Sequence, residues 1–339
     1  MNENKILHVM ILDKFLAPFI DFVDENFGRE NHHYVFITSE KYEYGLTPEH
    51  KVEFLHTDDD IFITLLDYMK MAKKIILHGL WRDKVDILLY FNQELLKKCY
   101  WVMWGGDFYF PEKQTWFRNQ IIKNIRNFIT LNIYDFEYVK NKYFTFGTLW
   151  KCPFYPKNLF KEISTFKVNQ KLKILVGNSA TITNRHEEIF NLLTNLENKE
   201  FEIYCPLSYG DKIYANKIIQ LGKLLFKNDF HHIDRLLTPQ DYLDFLETID
   251  LAIFNHNRQQ GGGNIISLLG LGKTVYLNRE NNMYDLFKNM NLIFYSIEDL
   301  SNGILKLIDQ NAKFNNISIV QDNYSEKESS KQWQKIFND

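Results

Sequence analysis

Three cysteines, 7 prolines and 15 glycines are few for a chain of 339 residues, and each scarcity excludes something. Cys99, Cys152 and Cys205 are odd in number, far apart and free of any Cys-x-x-Cys pair. That pattern offers neither a disulfide framework nor a zinc site, and it fits a reducing cytoplasm. No stretch approaches the ~18 uninterrupted apolar residues of a spanning helix. The apolar run near the start is cut by Asp13 and Lys14 before it reaches signal-peptide form. Charge of one sign is also lacking: 40 Lys and Arg against 43 Asp and Glu leave -3, so no overall basic field points to nucleic acid. Aromatics are what the chain has in surplus, 16% of it, within a hydrophobic content of 45% that rules out a disordered chain.

The length predicts about two domains. Short β-rich runs alternate with longer amphipathic ones throughout. In the first half the expected strands are residues 5–12, 33–38, 73–78, 99–104 and 128–131, with helical periodicity over 58–71 and 82–97. The pattern restarts at 172–176 and continues at 202–205, 251–254, 274–277 and 292–294. Thr238, Pro239 and Asp241 mark one helix start. Such alternation predicts an α/β chain of two doubly wound parallel sheets. The expected boundaries are an N-terminal domain over 1–155, a linker over 156–170 and a C-terminal domain over 171–320. The last residues, 321–339, form a helix expected to pack back on the first domain.

Two loops of the second half follow an expected strand and open a helix. Gly177-Asn178-Ser179 offers small residues that let backbone approach a ligand, although strand-to-helix turns use the same residues as caps. The loop over 255–264 contains Arg258, Gln259, Gln260, three consecutive glycines at 261, 262 and 263, and Asn264. Gly261, Gly262 and Gly263 cost backbone entropy that a simple turn does not require. A diphosphate cradle gives them a reason, with unhindered N–H groups at a positive helix end and Arg258 as fixed charge. The alternative is a plain surface loop. After the next strand, Asn278, Arg279 and Glu280 would reach the same sheet edge, Arg279 for a phosphate and Glu280 for ribose or sugar hydroxyls, or form a solvated turn.

In the first half, Asp13, His78 and the run Trp104-Gly105-Gly106-Asp107 close three strands, at the edge where open α/β sheets place ligands. Asp107 is the leading general-base candidate because neighbouring glycines leave room for a hydroxyl, ahead of Asp13 and His78; an N-cap is the plain alternative. Residues 113–128 carry four basic residues and no acid, with Trp116 and Phe117 next to Arg118, then Lys123 and Arg126. A basic amphipathic helix of this kind suits an anionic membrane surface or the phosphates of a lipid carrier, or simply a core-packed helix with a solvated face. Asp58-Asp59-Asp60 reads as an acidic helix start, so no metal-binding Asp-x-Asp loop is present and no metal or other cofactor is expected.

With these motifs in place, the chain resembles the transferases that move 4-acetamido-4,6-dideoxy-D-galactose (Fuc4NAc) from a TDP donor to lipid II in enterobacterial common antigen synthesis. The resemblance is carried by His8 with Asp13, His78-Gly79, the Trp-Gly-x-Asp-x-Tyr pattern ending at Tyr109, Ile174 to Ser179, Arg258 to Gly261, and Leu277 to Asn281. The family's Trp-Gly-Ala-Asp reads Trp-Gly-Gly-Asp here, its Gly-Ile-Gly-Thr reads Gly-Gly-Gly-Asn, and residues 153–156 match only loosely. The resemblance implies a metal-independent GT-B glycosyltransferase of two facing Rossmann-like domains. The second would hold a nucleotide-diphosphate sugar, TDP-linked by preference. The first would hold a lipid-linked saccharide beside Trp104, Gly105, Gly106 and Tyr109, at the inner-membrane surface. A nucleotide-sugar epimerase on the same fold and a non-catalytic nucleotide-sugar-binding module are the rival functions.

Overall fold

Apolar runs too short for helices but continuous enough to be buried on both faces fold here as parallel strands. The computed structural model describes residues 1, 3–152, 170–196, 200–258, 260–300 and 305–339. It divides into two units, Met1–Lys157 with Glu326–Asp339, and Asn158–Ser325. The expected linker over 156–170 lies, except for Gln170, outside the described residues.

The first unit has seven parallel strands: β1 (Ile6–Met10), β2 (His32–Phe36), β3 (Glu53–Phe54), β4 (Lys74–His78), β5 (Cys99–Val102), β6 (Asn127–Ile129) and β7 (Thr148–Trp150). Their order is β3-β2-β1-β4-β5-β6-β7. Side-chain alternation divides the core in two. Leu7 and Val9 of β1 join one apolar cluster, whereas Ile6 and Met10 join the other. The helix Leu16–Phe27 covers the second cluster with Leu16, Phe19, Ile20 and Val23. The chain's last helix, Glu326–Asn338, completes that face: Trp333 is fully buried with its ring 4.9 Å from that of Phe19. Lys74 donates to the Ile336 carbonyl and the Tyr100 hydroxyl to Asp339, so charged and polar groups fasten the chain end to β4 and β5.

The second unit has six: β8 (Leu172–Val176), β9 (Phe201–Pro206), β10 (Phe230–Ile233), β11 (Leu251–Phe254), β12 (Thr274–Leu277) and β13 (Tyr295–Ser296), ordered β10-β9-β8-β11-β12-β13 and parallel throughout. The strand expected at 292–294 is displaced to β13. Leu292 N–H bonds the Phe287 carbonyl and Ile293 N–H bonds Asn316 Oδ1, so neither donates to a ladder. The very short β3 and β7, and β10 with its His231-His232 pair, carry too little apolar pattern to be read in advance. The run at 99–104 stops two residues early because Trp104 N–H donates to Asp107. Among the described residues no helix is long and apolar enough to cross a membrane.

Removing the Trp333 ring leaves a cavity against Phe19 and Phe337. Trp333→Ala is expected to cost the first unit about 3–5 kcal/mol. Calorimetry would show its unfolding transition lowered and that of the other unit unchanged.

Candidate functional site

In a doubly wound sheet the chain winds outward in both directions from two central strands, and a crevice opens where their following loops part. In the second unit those strands are β8 and β11. Gly177-Asn178-Ser179 follows the first and Asn255-His256 the second. Gly177 has φ +69, and a Cβ there would stand 2.6 Å from His186 Nε2 and 2.7 Å from Asn184 Oδ1. Only glycine lets these two side chains reach beneath the loop.

Asn184 is the knot of this edge. Its Nδ2 donates to the Ser179 and Thr181 carbonyls at 3.0 and 3.1 Å, which turns Oδ1 inward as an acceptor. Oδ1 takes Asn178 N–H at 3.0 Å and His256 Nε2–H at 2.8 Å. Gln260 binds the glycine loop to the same residues: its Oε1 accepts from Thr183 at 2.6 Å, and its Nε2 donates to Asn178 Oδ1 and Ser179 Oγ, both at 3.2 Å. Gly261 then takes the left-handed conformation, φ +65, and starts the helix Gly262–Gly270 with no side-chain cap. Among the described residues no side chain caps the first N–H groups of that helix, and no acidic residue occupies its first turn. Arg258 lies half-buried beside this loop. Asn264 Nδ2 donates to the Tyr242 hydroxyl at 2.9 Å, which fixes it to the neighbouring helix Pro239–Thr248. Asn278 joins through Asn255 Oδ1 at 2.7 Å and accepts Glu280 N–H at 2.8 Å.

The structure thus brings Gly177, Asn178, Ser179, Gln260, Gly261 and Asn278 into one polar edge, with Gly262, Gly263 and Asn264 on the helix that opens from it. Arg279 is directed elsewhere: its Nε lies 3.3 Å from Glu298 Oε2 and its guanidinium 5.7 Å from the Tyr284 ring centroid. Glu280 is exposed, 3.7 Å from Arg185. Gln259 lies outside the described residues. Asn184 and His186 went unread because they sit in and after an irregular turn, where no periodicity marks them; His256 lay within the glycine-loop segment without a role.

In the first unit the central strands are β1 and β4. Asp107 is fully buried there, and its carboxylate accepts three donors: Leu80 N–H at 3.0 Å, Trp101 Nε1–H at 2.8 Å and Trp104 N–H at 3.0 Å. Burial nevertheless pushes its pKa up to about 6. The space expected beside it for a substrate hydroxyl is filled, so Asp107 holds the loop after β5 to the loop after β4. Asp13 follows β1, is half-buried, and accepts only Phe15 N–H, at 3.1 Å on Oδ1, among the described residues. Burial raises its pKa as well. Beside it Phe15, Trp104 and Trp81 form an edge-to-face series with ring centroids 6.0 and 5.9 Å apart.

His78 belongs to a buried chain of imidazoles. His8 Nδ1 meets His78 Nε2 at 3.0 Å and His8 Nε2 meets His32 Nδ1 at 2.9 Å. Tyr109 is likewise buried, its hydroxyl donating to Asp135, and it lines no open edge. The helix Trp116–Asn124 corrects a third expectation. Arg118 is buried and paired with Asp86 and Asp83 at 3.0 Å each, so it is not free for a phosphate. Arg126 stacks over Phe146, 4.2 Å to the centroid. Lys123 is exposed, as is Trp116, whose ring packs with Tyr90 and the half-buried Phe117 beside the exposed Phe91.

The imidazole chain gives the first unit a pH signature. Burial lowers His78 to about 3 and His32 to about 4, and His8 falls well below its ordinary value. The unfolded chain binds protons below pH ~6.5 that the folded one refuses, so stability is present above that pH and lost as pH falls toward 4. Each histidine adds up to ~1.4 kcal/mol per pH unit in that window. The first unit's unfolding temperature is expected to fall steeply between pH 6.5 and 5; a flat profile contradicts a neutral chain.

Comparisons with known proteins bear on the fold and the family. Over its whole length the chain is similar in structure to a glycosyltransferase from Rickettsia africae ESF-5, with TM-score 0.72, 11% identity and coverage of 100% of this chain and 98% of that one. It is similar to Anabaena Alr3699/HepE in complex with UDP and glucose, with TM-score 0.71, 11% identity and 99% of both chains covered. A UDP-N-acetylglucosamine 2-epimerase shares the fold at TM-score 0.62 and 12% identity, over 99% of this chain and 96% of that one. At such identities these likenesses speak to fold, which is the GT-B arrangement of two Rossmann-like domains. The family model described as 4-alpha-L-fucosyltransferase, glycosyl transferase group 56, matches residues 11–338. The chain belongs to that family and is a glycosyltransferase.

Proposed function

We propose that the protein transfers a deoxy-amino sugar of the Fuc4NAc kind from a nucleoside-diphosphate donor, TDP-linked by preference, to a polyprenyl-diphosphate-linked saccharide. The carrying observation is the uncapped, glycine-lined start of the helix Gly262–Gly270 beside the β8–β11 crevice. A departing diphosphate gains charge as the glycosidic bond breaks, and oriented N–H groups at a helix start stabilise such charge without rearranging. Asn178, Ser179 and Gln260 hold the loop to the neighbouring strand end, and Arg258 adds a fixed cation. The Anabaena relative was crystallised with UDP and glucose, which supports a nucleotide-sugar in the same role here.

On the first unit, Asp13 is the base in this reading. Burial raises the pKa of its carboxyl, which makes the carboxylate a stronger base than an exposed one. Phe15, Trp104 and Trp81 offer aromatic faces for an acceptor sugar beside it. Phe91 and Trp116 are 73% and 57% exposed, and the exposed Lys123 lies about two turns along the helix from Trp116. This patch supports docking of the protein on the cytoplasmic face of the inner membrane, where aromatic rings and cations favour the interface.

Arg258→Ala combined with Gly262→Val removes the cation and places a side chain at the helix start, where even a Cβ stands 3.1 Å from Met283 Cε. TDP and UDP binding should fall by at least tenfold in calorimetry; unchanged affinity rejects the diphosphate site. Asp13→Asn should abolish transfer while leaving nucleotide affinity and unfolding temperature in place. Asp107→Asn should instead lower stability by about 1–3 kcal/mol, because a donor replaces an acceptor facing three N–H groups. Loss of transfer in a fully stable Asp107→Asn protein, with Asp13→Asn active, would reverse the assignment.

A further inference from the structure

His256 is held through Nε2 by Asn184, yet its Nδ1 has no hydrogen-bond partner among the described residues. It is fully buried at the end of β11. Asn184 fixes its tautomer: because Asn184 Nδ2 serves two carbonyls, Oδ1 must accept, and His256 Nε2 must carry the hydrogen. In a neutral ring the proton is then absent from Nδ1, a buried lone pair with no donor facing it. A buried acceptor left in this way costs free energy that the fold has not removed.

The surroundings show what would satisfy it. The left-handed Gly261, cap of the glycine helix, stands directly over this ring; a Cβ there would lie 3.3 Å from His256 Cε1. The backbone of Gln260, in the same loop, acts to raise the ring's pKa, which is the effect of a carbonyl acceptor rather than of an N–H. A carbonyl is an acceptor, so it has nothing to gain from a lone pair and a full hydrogen bond to gain from Nδ1–H.

We propose that His256 is a proton-linked positioning residue of the glycine loop: it takes up one proton from solvent when an anionic diphosphate occupies the start of the helix Gly262–Gly270, and the imidazolium then holds the loop through Nε2–H to Asn184 and Nδ1–H to the Gln260 carbonyl. This rests on the donor-site reading above and deepens it. The loop is held less firmly when empty and is tightened by its own ligand, with charge supplied only when there is charge to meet.

The charged groups around the ring agree with that sequence of events. Without ligand, burial, then Arg258, then the neighbouring His186 hold His256 near a pKa of about 3, so it is neutral at any working pH. The carboxylates on the elements packed here are already engaged: Glu187 with Lys217, Glu188 with Arg185 and Asn255, and Glu280 with Arg185. None of them is left to charge the imidazole. A diphosphate offsets Arg258 and adds two negative charges of its own, each worth a rise of about 1–3 in the pKa of a poorly screened neighbour. Reciprocity then requires that a lower pH tighten ligand binding.

The test is calorimetric titration of the full-length protein with UDP-glucose and TDP-glucose between pH 5.5 and 8, in pairs of buffers of different ionisation enthalpy. These diphosphate diesters do not themselves ionise in that range, unlike UDP or TDP. Uptake approaching one proton per bound ligand is expected, with affinity rising up to ~tenfold per pH unit as pH falls below the pKa of the complex. His256→Gln keeps an amide donor toward Asn184 and should bind with no proton uptake and a flat pH profile, its ligand-free unfolding temperature being the check on folding. Should that variant not fold, the His256 Cε1–H resonance of the wild-type protein decides: it should titrate near neutrality in the complex and not in the free protein. Binding without proton uptake, or equal uptake in His256→Gln, overturns this inference and leaves the donor site standing. No binding of either sugar nucleotide, nor of UDP or TDP, overturns the donor-site reading and this inference with it.

Discussion

A parallel ladder imposes the constraint on which the rest of the molecule depends. Strands that all run one way end on the same edge, and each must be followed by a helix that returns over a face. Backbone pairing stops at that edge, so polar groups collect there and need side chains, water or ligand to satisfy them. Both units meet the constraint with the same winding, outward from β1 and β4 and from β8 and β11. Each therefore has one crevice. What differs between the units is how the residues at that crevice are satisfied.

In the first unit the edge is largely closed. Asp107 spends both oxygens on three donors, and the imidazoles of His8, His32 and His78 satisfy one another. Such groups are silent unless pH or mutation disturbs them. Asp13 and the exposed Phe15 remain approachable, and they come from a single short loop between β1 and the helix Leu16–Phe27. In the second unit the edge is built but incomplete. Asn184, Asn178 and Gln260 bond to each other, while the glycine helix has no side-chain cap and, among the described residues, the buried Nδ1 of His256 has no hydrogen-bond partner.

Which parts of this were legible in sequence follows from the range of the interactions. Strand and helix identity is local, so the alternation read from 172–176, 251–254 and 274–277 coincides with β8, β11 and β12. Thr238 could be read as a cap because its partner, Asp241 N–H, is three residues away. The glycine loop was visible because three consecutive glycines are costly wherever they occur. Side-chain roles are not local. Nothing in the segment around Arg118 announces Asp86, which lies 32 residues earlier and converts a solvated cation into a buried one. Asp107 looked open because its neighbours are glycines, yet the donors that close it come from Leu80 and Trp101. Asn184 links positions 178 and 256, which only the β8–β11 pairing brings together.

That distinction also explains why the two histidine clusters have to be read differently. The three imidazoles of the first unit form a line in which both contacts can be made by neutral rings, one nitrogen donating and the next accepting. Burial, joined at His32 by Arg29 and Lys5, opposes a charge on these rings for as long as the cluster is folded. His256 bonds to an amide rather than to another imidazole. Its one committed nitrogen faces Asn184, and the carbonyl that the other would need is Gln260's, within the loop proposed to receive the ligand. Burial lowers both kinds of histidine alike, so the pKa of the empty protein does not separate a structural imidazole from a responsive one. What separates them in this reading is position: His256 lies under Gly261, in the loop proposed to receive the ligand and beside a helix start without a side-chain cap.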